Sequence, residues 1–410
     1  MLQGDELVAQ VDRWVSYGTI EPSAGQAIKD VAKKGEWRDL SDKYFVLLGA
    51  GSAMGPLKLL LELGANIIAI DLDRPGIWDR LIKTAEKSCG TMTFPLKKPQ
   101  EGLKGRDAIC QEAGANLLSQ TPEILNWLKT VQPGKPLVVG AYAYLDGELH
   151  VRLSVAMDAI IQGLTESRKN VMPAYLCTPT DVHVIPAEAY LAAKANNSAL
   201  TLLNVLFKLT FNFFGSLTSN VKRPVPSQGG GGAFYVVDGL VNKQGPNYAL
   251  AKRIQHWRAV VAREEQRCRV SSNVAPSTAT ASVTSNFLFA LAYGGMHYFR
   301  PMEVFRQETS NAVMGALLLR DASDPAVPAN PLVPIKNPLQ LFSHGSFHGG
   351  VWRIGYTMDS IGTASVVLYV FQVLAVGALQ LGFVVVLALG GLYLAGHDPV
   401  GIDSFLLGEL

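Results

Sequence analysis

Tyr248 and Lys252 stand four residues apart in PNYALAK, residues 246–252. On a helix that spacing puts the phenol and the ammonium on one face. There the cation favours the phenolate and tunes the phenol as a general acid or base. A second pair of the same form, Tyr190 and Lys194 in EAYLAAK, competes with it, and Thr178 and Thr180 precede that pair. Either pair would move a proton to or from a substrate oxygen. A lone pair of this kind recurs by chance in many helices, so the elements around each must decide.

The elements that could position such chemistry begin near the front of the chain. Residues 44–51, YFVLLGAG, are an apolar run ending in glycines; SAMGPLKLLLELGA follows with helical periodicity, and NIIAIDLD reads as a second buried strand closing on acids. The pattern predicts a β-α-β unit. In such a unit Gly49, Gly51 and Gly55 let the backbone approach a pyrophosphate, Ser52, Ala53 and Met54 complete the turn, and the helix N-terminus meets the phosphate charge. Asp71, 22 residues after Gly49, is placed to bond an adenosine ribose, with Asp73 in reserve. The spacing is GxGxxxG, because Met54 occupies the usual third glycine position. The expected fold class is α/β, a Rossmann-type doubly wound parallel sheet.

LGAGSAMG resembles the TGxxxGxG turn of the short-chain dehydrogenases/reductases, with Leu48 in place of the Thr and Ala53 in place of the middle Gly. In that family the Tyr/Lys helix is followed by a strand and an Asn-x-x-x-Pro loop over the nicotinamide, which Asn273, Pro276 and Thr280 match. The resemblance covers about residues 43–285. It implies hydride transfer between a nicotinamide cofactor and a carbonyl or alcohol, with Tyr248 as general acid/base and Lys252 lowering its pKa and holding the ribose. Asp71 favours NAD over NADP, since a 2′-phosphate would face a carboxylate, and Arg74 beside it keeps NADP in play. Two features depart from the family. The hydroxyl expected upstream of the tyrosine is missing from Phe234–Asp238, where Asp238 or Tyr235 would have to substitute. The NNAG strand is visible in neither LVVGAYAY nor AYLCTPTD. These gaps define the alternative, a non-catalytic nucleotide-binding subunit of a membrane complex.

Composition narrows the classes further. The chain has 410 residues, 48% of them hydrophobic and 17% charged, and its net charge of +2 offers no electrostatic case for nucleic acid. Cys89, Cys110, Cys177 and Cys268 lie far apart with no CxxC, which points to buried thiols rather than a zinc cage or a disulfide framework. His344 and His348, in SHGSFHGG, read as a surface loop rather than a metal pair. The first thirty residues carry acids and no apolar core, so no secretory signal is expected.

From Ser360 to Gly396 no charged residue occurs, and roughly 20 apolar residues already suffice to span a bilayer. A transmembrane helix or hairpin is expected there. Trp352 and Tyr356 would form its interfacial belt. Lys336 and Arg353 before it, against Asp398, Asp403 and Glu409 after it, would put the globular body on the cytoplasmic or equivalent side. Membrane attachment suggests a small lipophilic substrate such as a sterol, fatty acyl chain or isoprenoid, and a homo-oligomer or a membrane complex as the assembly. The expected divisions are a helical extension over 1–42, a nucleotide-binding domain over 43–285, an extension with a Pro-rich linker over 286–350, a membrane segment over 351–396 and a tail over 397–410. The apolar run SALTLLNVLFKLTFNFFG is expected to be core or the wall of a lipophilic pocket.

Overall fold

The computed structural model describes residues 2–199, 205, 208–212, 217–227 and 232–375. Its strands are β1 (Tyr44–Leu48), β2 (Asn66–Ile70), β3 (Thr91–Thr93), β4 (Leu137–Ala141), β5 (Val171–Cys177), β6 (Val182–Ile185), β7 (Val225–Pro226), β8 (Ala233–Asp238), β9 (Ser271–Val274), β10 (Thr278–Ala279) and β11 (Phe305–Arg306). Six of them form one sheet in the order β3-β2-β1-β4-β5-β9, and every pair in it is parallel. Parallel neighbours need crossovers, which helices supply.

The central strands β1, β2, β4 and β5 are almost wholly apolar because both of their faces are covered. Val46, Leu48, Ile68 and Ile70 face one layer, in which Ile124, Met157, Ile160 and Ala259 come from the helices Thr121–Thr130, Glu148–Ser167 and Pro246–Glu264. Phe45, Leu47, Ile67 and Ala69 face the other, with Leu60, Trp78 and Leu318 from Leu57–Glu62, Pro75–Glu86 and Gln307–Ser323. The order of strand addition reverses between β1 and β4, the position at which open parallel sheets generally take their ligands.

Residues 178–245 intervene between β5 and the helix Pro246–Glu264, and they hold a separate antiparallel sheet in the order β6-β8-β7. AFYVVD, the stretch upstream of Tyr248, is β8 and belongs to this insertion. The helices Gly4–Tyr17 and Pro22–Lys33 pack on the body through Val11, Ala24 and Ile28 against Val313, Leu317 and Phe347. Most of the apolar run at 198–215 lies outside the described residues.

The C-terminal quarter differs most from expectation. Phe347 and Trp352 are fully buried and Tyr356 nearly so; they are core residues and not an interfacial belt. Arg353 is bound by the buried carboxylate of Glu21, from the N-terminal helices. Nor do residues 321–338 hold the body apart from the segment C-terminal to them. The helix runs on to Ser323, Val327 and Ala329 are buried, and Arg263 donates to the carbonyls of Pro328 and Val333. The helix Met358–Ala375 is long and apolar enough to cross a membrane. It buries Ile361, Ala364 and Ser365 in the body and exposes Val370, Phe371, Val373 and Leu374. The rest of the uncharged run, 376–396, lies outside the described residues, and with it the choice between a single span and a hairpin.

Candidate functional site

Two groups of residues meet at the C-terminal edge of the sheet. The first is the glycine turn after β1. Gly49 has φ +89°, and a Cβ on it would lie 2.5 Å from the Ala143 Cα, so both the turn and the close passage of the chain beyond β4 require glycine. The Gly51 amide donates to Asp71 Oδ2 at 2.7 Å, and Asp71 Oδ1 accepts from the Leu72 amide at 2.8 Å. A Cβ on Gly51 would press on Arg80 Nη2 at 2.9 Å and Asp71 Oδ2 at 3.1 Å. Arg80 itself donates to the Gly51 carbonyl at 3.4 Å.

Beyond Gly51 the turn folds back on itself. Ser52 N–H donates to the Gly49 carbonyl and Gly55 N–H to the Ser52 carbonyl. Gln307 and Asn311 both donate to the Ala53 carbonyl, and Met54 packs against the cluster of the N-terminal helices. Among the described residues no acceptor takes the Ala53 and Met54 amides, and Ala53 is exposed. The helix that follows is only six residues long, Leu57–Glu62. The turn's own amides are thus the groups available to a phosphate, rather than a long helix end. Asp73 is exposed, and Lys97, bonded to it at 2.9 Å, holds its carboxyl below the usual range.

The second group surrounds Tyr248. Pro246 sits at the start of the helix Pro246–Glu264, where its missing N–H does no harm. The helix packs along Glu148–Ser167 through a buried row of small residues that includes Ala251 and Ala259. The Tyr248 ring lies nearly parallel to His150, 5.8 Å away, and 6.4 Å from Tyr144, which immediately follows the Ala143 that Gly49 touches. Thr178, the residue after β5, stands near the Tyr248 phenol and opposes the rise in its pKa, while its own hydroxyl is bonded to Thr180 at 2.7 Å. Tyr293, from the helix Phe287–Gly295, packs half-buried on the core near enough to Tyr248 for the two phenols to affect one another electrostatically.

Lys252 Nζ donates to the Leu176 carbonyl at 3.1 Å and to Gln255 at 3.4 Å, and lies 6.0 Å from the Tyr248 ring centre. Burial lowers the pKa of Lys252 and raises that of Tyr248, the latter against the opposing effect of nearby Thr178. The lowered phenol pKa expected from the sequence is therefore not the state of the protein alone, because desolvation outweighs an ammonium that is turned toward a carbonyl. His150 is 2% exposed, and neither ring nitrogen has a hydrogen-bond partner among the described residues. Burial first, and the Lys252 charge second, push its pKa down to about 4. The imidazole is neutral at neutral pH. Ser154, four residues on and on the same helix face, is likewise buried and unpartnered.

The remaining sequence candidates sit elsewhere. Asp238, at the end of β8, is engaged by Lys222 at 2.9 Å and by the Leu240 amide. Tyr190 is a core residue whose ring lies tilted against Tyr235, 4.7 Å away, while Lys194 is exposed. Asn273 donates to Asp321 at 2.6 Å and to Ser271, inside a buried polar cluster. The Pro276 carbonyl accepts from the Thr278 hydroxyl. His348 is fully buried and bonds Glu21 at 2.9 Å, and His344 bonds Arg320, so the expected surface loop is an interior one. Glycines at positive φ, Gly345, Gly349 and Gly350, let it pack that closely.

Sequence reasoning missed Thr178 as the neighbour of Tyr248. Along the chain its hydroxyl stands closer to Tyr190, whereas the insertion separates it from Tyr248 by 70 residues. His150 and Arg80 carried no local signal at all. Among the described residues no three His, Cys, Asp or Glu are grouped to hold a metal. A cleft of about 630 Å³ between the first helix and residues 303–305 shares no residue with either group. No family model matches the chain, and no curated protein matches it.

Proposed function

We propose that the chain is a membrane-anchored oxidoreductase built on a Rossmann-type sheet and similar to the short-chain dehydrogenases/reductases. It would move a hydride between NAD or NADP and the carbonyl or alcohol of a small lipophilic substrate. The observation that carries this reading is that the Tyr248–Lys252 pair meets Tyr144 and His150, distant from it in sequence, beyond the C-terminal ends of β4 and β5 and next to the glycine turn. The uncommitted Ala53 and Met54 amides fit a pyrophosphate, with Gly49, Gly51, Ser52 and Gly55 completing the turn and Asp71 beside the ribose. When bound, the nicotinamide carries the hydride.

The chain's own residues supply the rest. Tyr248 gives the proton of its hydroxyl to the substrate oxygen in reduction and takes one back in oxidation. Burial keeps the phenol protonated, which favours the reducing direction at neutral pH. Thr178 stands near the phenol, and neutral His150, whose ring lies nearly parallel to that of Tyr248, is a second polar group for the substrate oxygen. Lys252, held by the Leu176 carbonyl, has further donors for the ribose hydroxyls. Asp71 favours NAD, whereas Arg80 and Arg74 would tolerate the 2′-phosphate of NADP.

One observation favours a second reading, a non-catalytic nucleotide-binding scaffold: the Gly51 amide is already taken by Asp71, and the phenol pKa is raised rather than lowered. Mass spectrometry and absorbance of the purified full chain, followed by calorimetry with NAD and NADP, test both readings. Binding of neither nucleotide removes both. Tight binding without turnover on any of a panel of aldehydes, ketones and alcohols leaves only the scaffold.

A further inference from the structure

The helix Phe287–Gly295, FLFALAYGG, leaves its apolar residues in an unusual position. No Asp, Glu, Lys or Arg occurs between residues 281 and 299. Phe287 is 73% and Leu288 65% exposed, beside a C-terminal helix on which Phe371 is 67% and Leu374 65% exposed. Single exposed apolar side chains are ordinary, but a joined patch marks a partner surface. The two helices are joined tightly. A Cβ on Gly295 would lie 2.0 Å from the Ser365 carbonyl oxygen, and one on Gly294 2.6 Å from the Tyr369 ring, the close approach that small residues allow between membrane helices.

The apolar end of the short helix is also closed to hydrogen bonding. The Asn286 side chain accepts from the Leu288 and Phe289 amides, which removes donors that would be expensive to carry into lipid. On the same helix Tyr293 packs half-buried against the core, near enough to Tyr248 for the two phenols to affect one another electrostatically. One helix therefore has an unpartnered apolar end and a phenol at the candidate site.

We infer that Phe287–Gly295 is a shallow membrane-docked helix, seated in the lipid bilayer beside Met358–Ala375, and forms the edge over which a bilayer-dissolved substrate reaches Tyr248. The occupant is lipid rather than a protein, because the adjoining helix exposes its apolar residues where the chain runs on, in sequence, into the uncharged stretch 376–396. This rests on the membrane attachment proposed above and specifies the substrate as one delivered from the bilayer.

The full chain reconstituted in phosphatidylcholine vesicles tests it. Tryptophans introduced as Phe287→Trp or Leu288→Trp should be quenched by brominated phosphatidylcholine beyond the quenching of the parent's six tryptophans, as Phe371→Trp should be. Quenching of Phe371→Trp alone overturns the inference. Absence of quenching in all three overturns it together with the membrane attachment, and nucleotide calorimetry on the same variants shows separately whether the oxidoreductase reading stands. The double variant Phe287→Asp, Leu288→Asp should lower turnover of a vesicle-borne long-chain aldehyde, relative to a short water-soluble one, by roughly tenfold or more, since two large apolar side chains leave the lipid. An unchanged ratio overturns the entry route.

Discussion

The glycine turn and the tyrosine cluster share one edge of the sheet, yet they treat their polar groups in opposite ways. In the turn, Gly49 and Ala50 donate to the Ile70 carbonyl, Gly51 donates to Asp71, and the Ala53 carbonyl accepts from Gln307 and Asn311. Around Tyr248, both nitrogens of His150 and the hydroxyl of Ser154 are buried without a partner among the described residues. Leaving a buried polar group unpaired costs roughly 1–3 kcal/mol. An apolar side chain at either position would avoid that penalty, so stability does not account for them. Apart from the Ala53 and Met54 amides, the turn is a frame closed on itself, whereas on the tyrosine side buried side chains themselves are left for a ligand's hydrogen bonds.

The largest expected effect tests the open side. Tyr248→Phe keeps the ring against His150 but removes the proton, so turnover should fall by about 10² to 10⁴, while nucleotide affinity in calorimetry stays within a factor of about three. Because burial holds the phenol above its ordinary pKa, the wild-type rate of carbonyl reduction should be flat through neutral pH and alcohol oxidation should rise with pH. Equal turnover of Tyr248→Phe and wild type would move the chemistry away from this group.

On the closed side, Gly51→Val should weaken nucleotide binding by about 100-fold or more, equivalent to roughly 2.7 kcal/mol. The added branch would displace Arg80 and Asp71 from the positions they now hold against the turn. Folding should survive, since Arg80 is an exposed, flexible chain that can swing out. Unchanged affinity would mean that nucleotide does not use this turn.

The two sides also differ in how far the sequence reveals them. The turn is legible because its parts are contiguous: two buried strands, three glycines and a terminal acid within thirty residues carry their own spacing. Its internal bonding is not, since the Gly51–Asp71 bond and the short helix depend on packing against Gln307 and Asn311. The tyrosine cluster draws on residues 144, 150, 178, 248, 252 and 293, and only its YxxxK spacing is local. Thr178 can be assigned to Tyr248 only because the insertion folds as its own sheet, leaving β5 directly beside the helix Pro246–Glu264. Trp352 and Tyr356 mislead for a related reason, because an aromatic ahead of an apolar run reads alike whether it packs in a core or rests at a membrane surface.

The buried histidines should leave a signature in stability. His150 and His344 are pushed down to about 4 and His256 to about 3, in each case chiefly by burial. Unfolded histidine takes its proton near pH 6.5, so the unfolded state binds more protons than the folded one as pH falls from about 6.5 to 4. Stability is then lost over that window and is fully present above it, with about 2 kcal/mol lost per histidine at pH 5. Chemical denaturation at pH 7 and pH 5 measures the loss, and His150→Phe should reduce it by about one histidine's share. An identical loss in that variant would place the acid sensitivity elsewhere and weaken the case that His150 is held neutral beside Tyr248.

The smallest expected effect asks which phosphate the frame is built to meet. Arg80 is exposed and reaches the Gly51 carbonyl at 3.4 Å; Asp71, on the other side of that glycine, is fixed by two backbone amides. A 2′-phosphate would be repelled by the carboxylate and attracted by the guanidinium, so Arg80→Ala should weaken NADP while sparing NAD. An exposed charge pair contributes only about 0.2–1 kcal/mol, which corresponds to a loss of no more than about fivefold. That loss should fade as salt rises from low to physiological ionic strength, since a contact open to solvent is screened. Equal weakening of NAD and NADP would mean that Arg80 meets the pyrophosphate instead. No change in either would leave it as the side chain that props Gly51, and the preference between the two nucleotides would then rest on Asp71 alone.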